Sequence, residues 1–199
     1  MPKVVDHEQR RRDIAEAVFR VIGERGMEGV SLRDVATEAG VSMGSVQHYF
    51  GTKEEMLRFA LGYMRERAGV RFSAELGKLK NPSNRDHLRA ILRTLLPTNS
   101  QGGQGATVSI GVCSISDGSE GFRRVRADGY SQLLAACRQQ LANADLNGEL
   151  QSGIDVDAEA ATLFFATQGL IGPVLIGSVS TTRAMAVLDH QLDRIFVPV

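Results

Sequence analysis

A chain of 199 residues with 43% hydrophobic and 23% charged residues has room for one large domain, or for a small one joined to a medium one, and this balance excludes wholesale disorder. Lys plus Arg and Asp plus Glu stand at 23 each, so there is no overall basic surplus, and a nucleic-acid face has to come from local arrangement. The two cysteines, Cys113 and Cys137, are too few for a disulfide framework and match no metal-ligand spacing with the four histidines, so neither a metal nor a cofactor is expected and a reducing cytoplasm is the simplest setting.

The first residues carry charge from Lys3 onward and lack the apolar stretch of a signal peptide. Asp6 followed by Gln9 caps a first helix whose apolar stripe is Ile14, Val18, Val21 and Ile22, and Gly26 and Gly29 end it. Ser31 precedes Asp34 by three residues, the start signal of a second, short helix that turns Leu32, Val35, Ala36 and Ala39 inward. Gly40 then supplies a residue tolerant of positive φ for a tight turn, and Val41 fills the corner. Ser42 caps a third helix from Met43 to Phe50, with Val46 and Phe50 as its buried pair.

Thr52 and Glu55 start a fourth helix with a long apolar stripe of Leu57, Leu61, Met64, Ala68 and Phe72. It is expected to run from a small domain into a larger one. Asn81-Pro82-Ser83-Asn84 reads as a break, His87–Leu96 as helix, and 99–105 as loop. The stretch Thr107–Ser116 alternates like a strand but is also compatible with a short helix. Helices follow at Phe122–Leu141, Asp155–Val179 and Arg183–Phe196, with a turn at Gly148–Gly153. The expected fold is all-α, with a helix-turn-helix domain over 1–53 and a larger helical ligand-binding and dimerisation domain over 54–199. The run from Ala160 to Thr182 has no charge and is long enough to raise a membrane span. Its Gln168, Gly169, Gly172, Pro173 and Gly177, and the nearby Asp155, Asp157 and Glu159, favour a helix buried on two faces.

Two short helices joined by a glycine-containing turn form a helix-turn-helix unit, whose second helix fits the major groove of B-DNA. With Val46 and Phe50 held inward, Ser42, Met43, Gly44, Ser45, Gln47 and His48 point away or sideways. Gln47 donates and accepts towards a base edge, Gly44 lets a backbone come close, and the two serines suit phosphate or base. Lys53 opposes the dipole of the fourth helix, a conflict that a phosphate bound at that N-terminus would remove; a solvated lysine is the alternative. Arg11, with Arg10 and Arg12, forms a basic cluster that either meets DNA or is a solvated face. Ser31 and Arg33, at the start of the second helix, complete the candidate DNA-facing set.

The segments Ser31-Leu32-Arg33-Asp34-Val35-Ala36, Ala39-Gly40-Val41-Ser42, Gly44, and Tyr49-Phe50 through Lys53-Glu54 to Leu57 resemble the DNA-binding domain of the TetR family, over roughly the first third of the chain. The resemblance implies that Ser42, Gly44, Gln47, His48, Tyr49 and Lys53 lie at the DNA surface. Gln47 stands where the family usually has Tyr, so His48 or Tyr49 takes over any tyrosine-like phosphate contact. The last two helices look like those through which the family dimerises, and this end is similar to the subgroup that includes the choline-responsive repressor. Choline itself is not expected, because a cage for it wants aromatic faces and the chain has no Trp and three Tyr.

The effector is expected to be a small molecule. Phe59, Met64, Phe72, Cys113, Phe122, Tyr130, Leu134, Cys137, Phe165 and Gln168 are the candidates to line its pocket, each also readable as plain core. A homodimer through the last two helices would pair two recognition helices on double-stranded DNA. Effector binding would favour a dimer with those helices wrongly spaced, transmitted by the fourth helix, and release a repressor from a palindromic operator. No nucleophile, base and orienting group suggest an enzyme, and the membrane alternative rests on the uncharged run alone.

Overall fold

A computed structural model describes residues 7–26, 29–97 and 120–198, with backbone alone at 121, 122, 125 and 126. Among the described residues the secondary structure is helical: α1 His7–Arg25, α2 Leu32–Glu38, α3 Met43–Tyr49, α4 Lys53–Leu76, α5 Asn84–Leu95, α6 Glu120–Leu146, α7 Val156–Leu175 and α8 Thr181–Ile195. The expectations for Asp6, for the loop over 99–105 and for Thr107–Ser116 lie outside the described residues, as do Cys113 and the side chain of Phe122.

The helix starts follow the short-range chemistry of the sequence. Ser31 accepts from the Asp34 amide and Ser42 from the Ser45 amide, each satisfying a first-turn N–H that the helix leaves without a partner. At α4 the Thr52 hydroxyl accepts from the Glu55 amide at 3.1 Å, while the Glu55 carboxylate reaches back to the Gly51 amide at 3.0 Å. Helix α5 begins three residues earlier than expected, because Ser83 and Asp86 form a full capping box inside the stretch read as a break. Helix α6 runs five residues past Leu141, to Leu146, and ends at Gly148, whose φ is 69°. Helix α7 stops at Leu175 rather than Val179: Gly177 takes a φ of 74° and the Ser178 and Val179 amides turn back to the Pro173 carbonyl.

The chain divides into two compact units, with the dividing line inside α4 between Arg67 and Ala68, and a second inside α6 between Val125 and Arg126. In the first unit, Ile14, Val18, Val21 and Ile22 of α1 are buried with Val35, Val46, Phe50, Met56, Leu57 and Leu61. Gly40, at a φ of 65°, makes the turn between α2 and α3. Gly29 is required for space, since a Cβ there would sit 2.7 Å from that of Arg25. The middle of α4 is pinned to α1 by polar contacts as well: the Glu16 carboxylate accepts from the Tyr63 hydroxyl at 3.0 Å and from Arg67 at 2.5 Å.

The second unit buries Leu88 and Leu92 of α5, Cys137 and Leu141 of α6, Leu163 and Ile171 of α7, and Leu188, Leu192 and Ile195 of α8. Helices α5 and α8 run antiparallel, and two arginines one turn apart grip two aspartates one turn apart. Arg89 holds Asp189 through two bonds of 2.6 and 2.9 Å, and Arg85 meets Asp193 at 2.5 Å. A single antiparallel bridge pairs Leu150 with Phe196 and ties the segment after α8 to the loop after α6. Helix α7 is long and apolar enough to cross a membrane by length and composition. Its inward stripe of Ala160, Leu163, Phe164, Thr167 and Ile171 is buried in this unit, and the Thr167 hydroxyl is satisfied by the Leu163 carbonyl at 2.8 Å.

Candidate nucleic-acid interface

Helix α3 has seven residues and one fully buried member, Val46 at 0% exposure. At 100° per residue, Gly44 and His48 fall opposite Val46, with Met43 and Gln47 on one flank and Ser45 and Tyr49 on the other. Ser42, Met43, Gly44, Gln47 and His48 are exposed, while Ser45 and Tyr49 are half-buried. The structure therefore brings these seven sequence candidates onto one short helix and its cap.

Gly44 has no structural reason to be glycine. Its φ is not positive, and a Cβ built there would meet one neighbour, the Ser42 hydroxyl oxygen, at 3.9 Å. Glycine in a helix is less stable than alanine by roughly 0.5–1 kcal/mol. A residue that weakens the helix and fills no internal gap on its outermost face suits close approach by another molecule.

The Ser42 hydroxyl and the rings of α3 have defined partners. The Ser42 hydroxyl oxygen accepts the Ser45 amide as the helix cap at 3.1 Å. His48 and Tyr49 lie edge-on at 5.3 Å between ring centres, and His7 of α1 stands 5.1 Å from Tyr49 and 5.8 Å from His48. His7 was not among the sequence candidates. Helical periodicity within α1 carries no signal of its contact with α3, which only tertiary packing creates.

The cations around α3 divide into two sets. Arg33 of α2 is exposed and Lys53 at the start of α4 is half-exposed, and neither forms an ion pair with a described residue. Both remain available to phosphate oxygens. The dipole argument for Lys53 is weaker than expected, because Glu54 and Glu55 in the same first turn already complement the helix. Ser31 is committed to capping α2, and its hydroxyl holds the Asp34 carboxyl below the usual carboxylate range.

Arg11, a candidate for the DNA face, has contacts within the first unit. Its guanidinium lies 4.2 Å from the ring centre of Phe59 and 5.2 Å from that of Phe50, and it meets Glu8 at 3.4 Å. Its neighbours are likewise engaged within the unit, Arg10 with Asp13 at 3.8 Å and Arg12 with Glu66 at 3.2 Å. The basic cluster is thus a set of ion pairs and a cation–π contact joining α1 to the end of α3 and to α4.

The described candidates for an effector pocket fall in both units, with Phe72, Leu134 and Cys137 around one core. Phe59 and Met64 pack against the core of the first unit. Phe72 and Leu134 are half-buried against the core of the second, Gln168 is half-buried on α7, and Cys137 is fully buried. Burial pushes the Cys137 thiol up to about 11. Tyr130 lies edge-on to Phe164 at 5.6 Å, and Phe165 is 60% exposed.

Comparison with known proteins agrees with this layout. Residues 14–59 match the family described as bacterial regulatory proteins, tetR family, and residues 84–197 match the BetI-type transcriptional repressor C-terminal family. The chain is similar to the HTH-type transcriptional regulator PksA of Bacillus subtilis, 35% identical over 85% of this chain and 80% of the relative. It is also similar to the HTH-type transcriptional regulator BetI of Brucella anthropi, 34% identical over 46% of each chain. Among solved structures, a TetR-family transcriptional regulator from Rhodococcus sp. superposes with a TM-score of 0.82 at 26% identity, covering 93% of this chain and 97% of that one. A transcriptional regulator from Saccharomonospora viridis in complex with choline shares the fold, with a TM-score of 0.84 at 24% identity over 96% and 100% of the two chains. A helix-turn-helix unit with an outward face open to a partner, one family match over more than half of the chain and a relative of this similarity lead to one conclusion: the chain belongs to the TetR family of bacterial transcriptional regulators, with a BetI-type C-terminal domain.

Proposed function

We infer that this regulator is a homodimeric repressor that holds a palindromic operator through α3 and leaves it when a small molecule binds the second unit. Gly44 carries the DNA part of this reading: its missing side chain lies on the outermost line of α3, where no described residue comes closer to the space than the Ser42 hydroxyl oxygen at 3.9 Å. Arg33 and Lys53 supply phosphate contacts, and Met43, Gln47 and His48 supply side chains to the groove. Residues 1–53 carry the DNA contacts. Residues 54–199 carry the effector site and the dimer face, with α4 as the element that transmits the change.

The dimer reading rests on the outer face of α7. Phe165, Gly169, Gly172 and Ile176 fall at helical spacing, with Phe165 60% and Ile176 80% exposed. A Cβ at Gly169 or Gly172 would meet nothing within 4 Å, so a second helix has room to approach closely. Val187 of α8, 37% exposed, adds apolar surface. A second copy of α7 and α8 covers this surface, and the apolar run then serves an interface between subunits rather than a membrane. One seven-residue recognition helix makes few base contacts, and two half-sites add theirs.

The effector meets Phe72, Leu134 and Gln168, half-buried around the second core. Choline is not assigned to this chain: Tyr49 and Tyr63 belong to the first unit, which leaves Tyr130 as the tyrosine of the second. The site of action is DNA in the cytoplasm.

Fluorescence anisotropy tests this function directly. The purified protein is titrated into labelled duplex from its own upstream region and into a scrambled duplex at two salt concentrations. Specific, salt-sensitive binding that Lys53→Ala weakens is the expected result; equal affinity for both duplexes, repeated with a duplex selected from a random pool, would overturn it.

A further inference from the structure

Helix α3 presents several residues outward, and they differ in what they offer a base. Gly44 has no side chain. The Ser42 hydroxyl accepts the Ser45 amide. The ring of Tyr49 packs edge-on with those of His48 and His7. Arg33 and Lys53 lie off α3 and suit phosphates, which carry no sequence information. Gln47 offers the most directional pattern: an exposed planar amide that both donates and accepts, with no hydrogen bond to another described side chain.

One residue pair adds direction. Met43 lies one turn before Gln47 on the same flank and is 44% exposed, so its apolar side chain is open to a partner at the same surface. Next to Gln47 on the wheel, on the outermost line of the helix, Gly44 removes the side chain that would hold the helix away from the groove floor. Glutamine has a short reach, so its amide meets a base edge only if the helix comes close. In the major groove the pattern matched by a glutamine amide is adenine, with its N7 acceptor and N6 amino donor, and the group matched by an apolar side chain is the thymine methyl.

We propose that Gln47 is a specificity-determining residue that reads an adenine in each operator half-site through two hydrogen bonds, with Met43 against the methyl of a neighbouring thymine. The inference rests on the DNA-binding reading above and deepens it. It departs from the resemblance to the TetR family in one respect, since tyrosine usually stands at this position and glutamine here serves base readout instead of a phosphate contact.

The test is a selection from random-sequence duplexes with the full-length protein and two variants, Gln47→Ala and Gln47→Glu. Both substitutions are at an exposed helical position, and circular dichroism with unchanged enrichment at the other half-site positions reports that the fold is intact. The wild type enriches adenine at one symmetric position per half-site. Gln47→Ala loses the preference there, and the discrimination for adenine measured by titration falls about tenfold. Gln47→Glu shifts the same position towards cytosine, whose N4 amino group donates to a carboxylate. If Gln47→Ala selects the wild-type sequence at every position with uniformly weaker binding, Gln47 touches phosphate and the proposal is overturned. If the wild type enriches no sequence at all, the regulator reading fails and takes this proposal with it.

Discussion

Arg11 and Lys53 carry the same charge and have opposite surroundings. The Arg11 guanidinium is sandwiched against Phe50 and Phe59, 4.2 Å from the latter, whereas Lys53 forms no ion pair with a described residue. Lys53→Ala is expected to weaken DNA binding and to lower the slope of log affinity against log salt by about one. Arg11→Met is expected to leave that slope unchanged while lowering folding stability by roughly 1 kcal/mol, the scale of a half-exposed cation–π contact. Anisotropy titrations across a salt series and thermal melts separate the two; a reduced slope for Arg11→Met would restore Arg11 to the phosphate contacts. At the same scale, burial holds the Cys137 thiol protonated up to about 11. It is expected to resist alkylation at neutral pH until the chain unfolds, with peptide mapping after iodoacetamide treatment as the check. Stability should then fall as pH rises from the ordinary thiol range towards that value, because the folded state keeps its proton longer than the unfolded one.

What was legible in the sequence at the element scale was the chemistry that acts over three or four residues. Ser31 with Asp34, Ser42 with Ser45 and Thr52 with Glu55 are bonded as their spacing implies. The outward set of α3 followed from the inward pull of Val46 and Phe50 alone, both 0% exposed. What was not legible depends on distant parts of the chain. Arg11 looks like any surface arginine until Phe50 and Phe59 are folded onto it, and His7 gives no local sign that it meets Tyr49. The end of α7 was missed for another reason: the uncharged run continues to Thr182, but Gly177 offers the left-handed turn that closes the helix first.

The α5 capping box shows what such a short signal is worth. Ser83→Ala removes the hydroxyl that accepts the Asp86 amide and is expected to lower stability by about 1 kcal/mol, read as a fall in Tm. The Asp86 carboxyl is held below the usual carboxylate range, first by the Ser83 hydroxyl and then by the Ser83 amide and the charges of Arg85 and His87. A depressed carboxylate stabilises the fold above its unfolded value and loses that contribution as pH falls through the folded one. Asp86→Asn should therefore flatten part of the stability loss below about pH 4 in acid titrations followed by circular dichroism.

At the scale of the whole molecule, the apolar surface left on α7 has consequences for assembly. Phe165→Asp places a charge at the middle of the proposed subunit contact, and Gly172→Leu fills the space a facing helix would need. Both are expected to convert a dimer to a monomer in sedimentation velocity, with operator affinity falling by at least tenfold because a lone half-site loses its partner's contacts. A wild-type chain that sediments as a monomer at micromolar concentration would move the dimer contact elsewhere or remove it. In the proposed division of work the first unit reads DNA and the second carries the subunit contact and the effector site, and α4 contains residues of both.

The most direct test of α3 as the DNA-reading element is Gly44→Leu in the full-length protein, measured for both thermal stability and affinity for a selected duplex. Space around Gly44 is open apart from the Ser42 hydroxyl oxygen at 3.9 Å, and leucine favours a helix more than glycine does. An unchanged or higher Tm together with a loss of affinity of at least tenfold is the expected result. A variant that folds and binds its duplex as well as the wild type would contradict it.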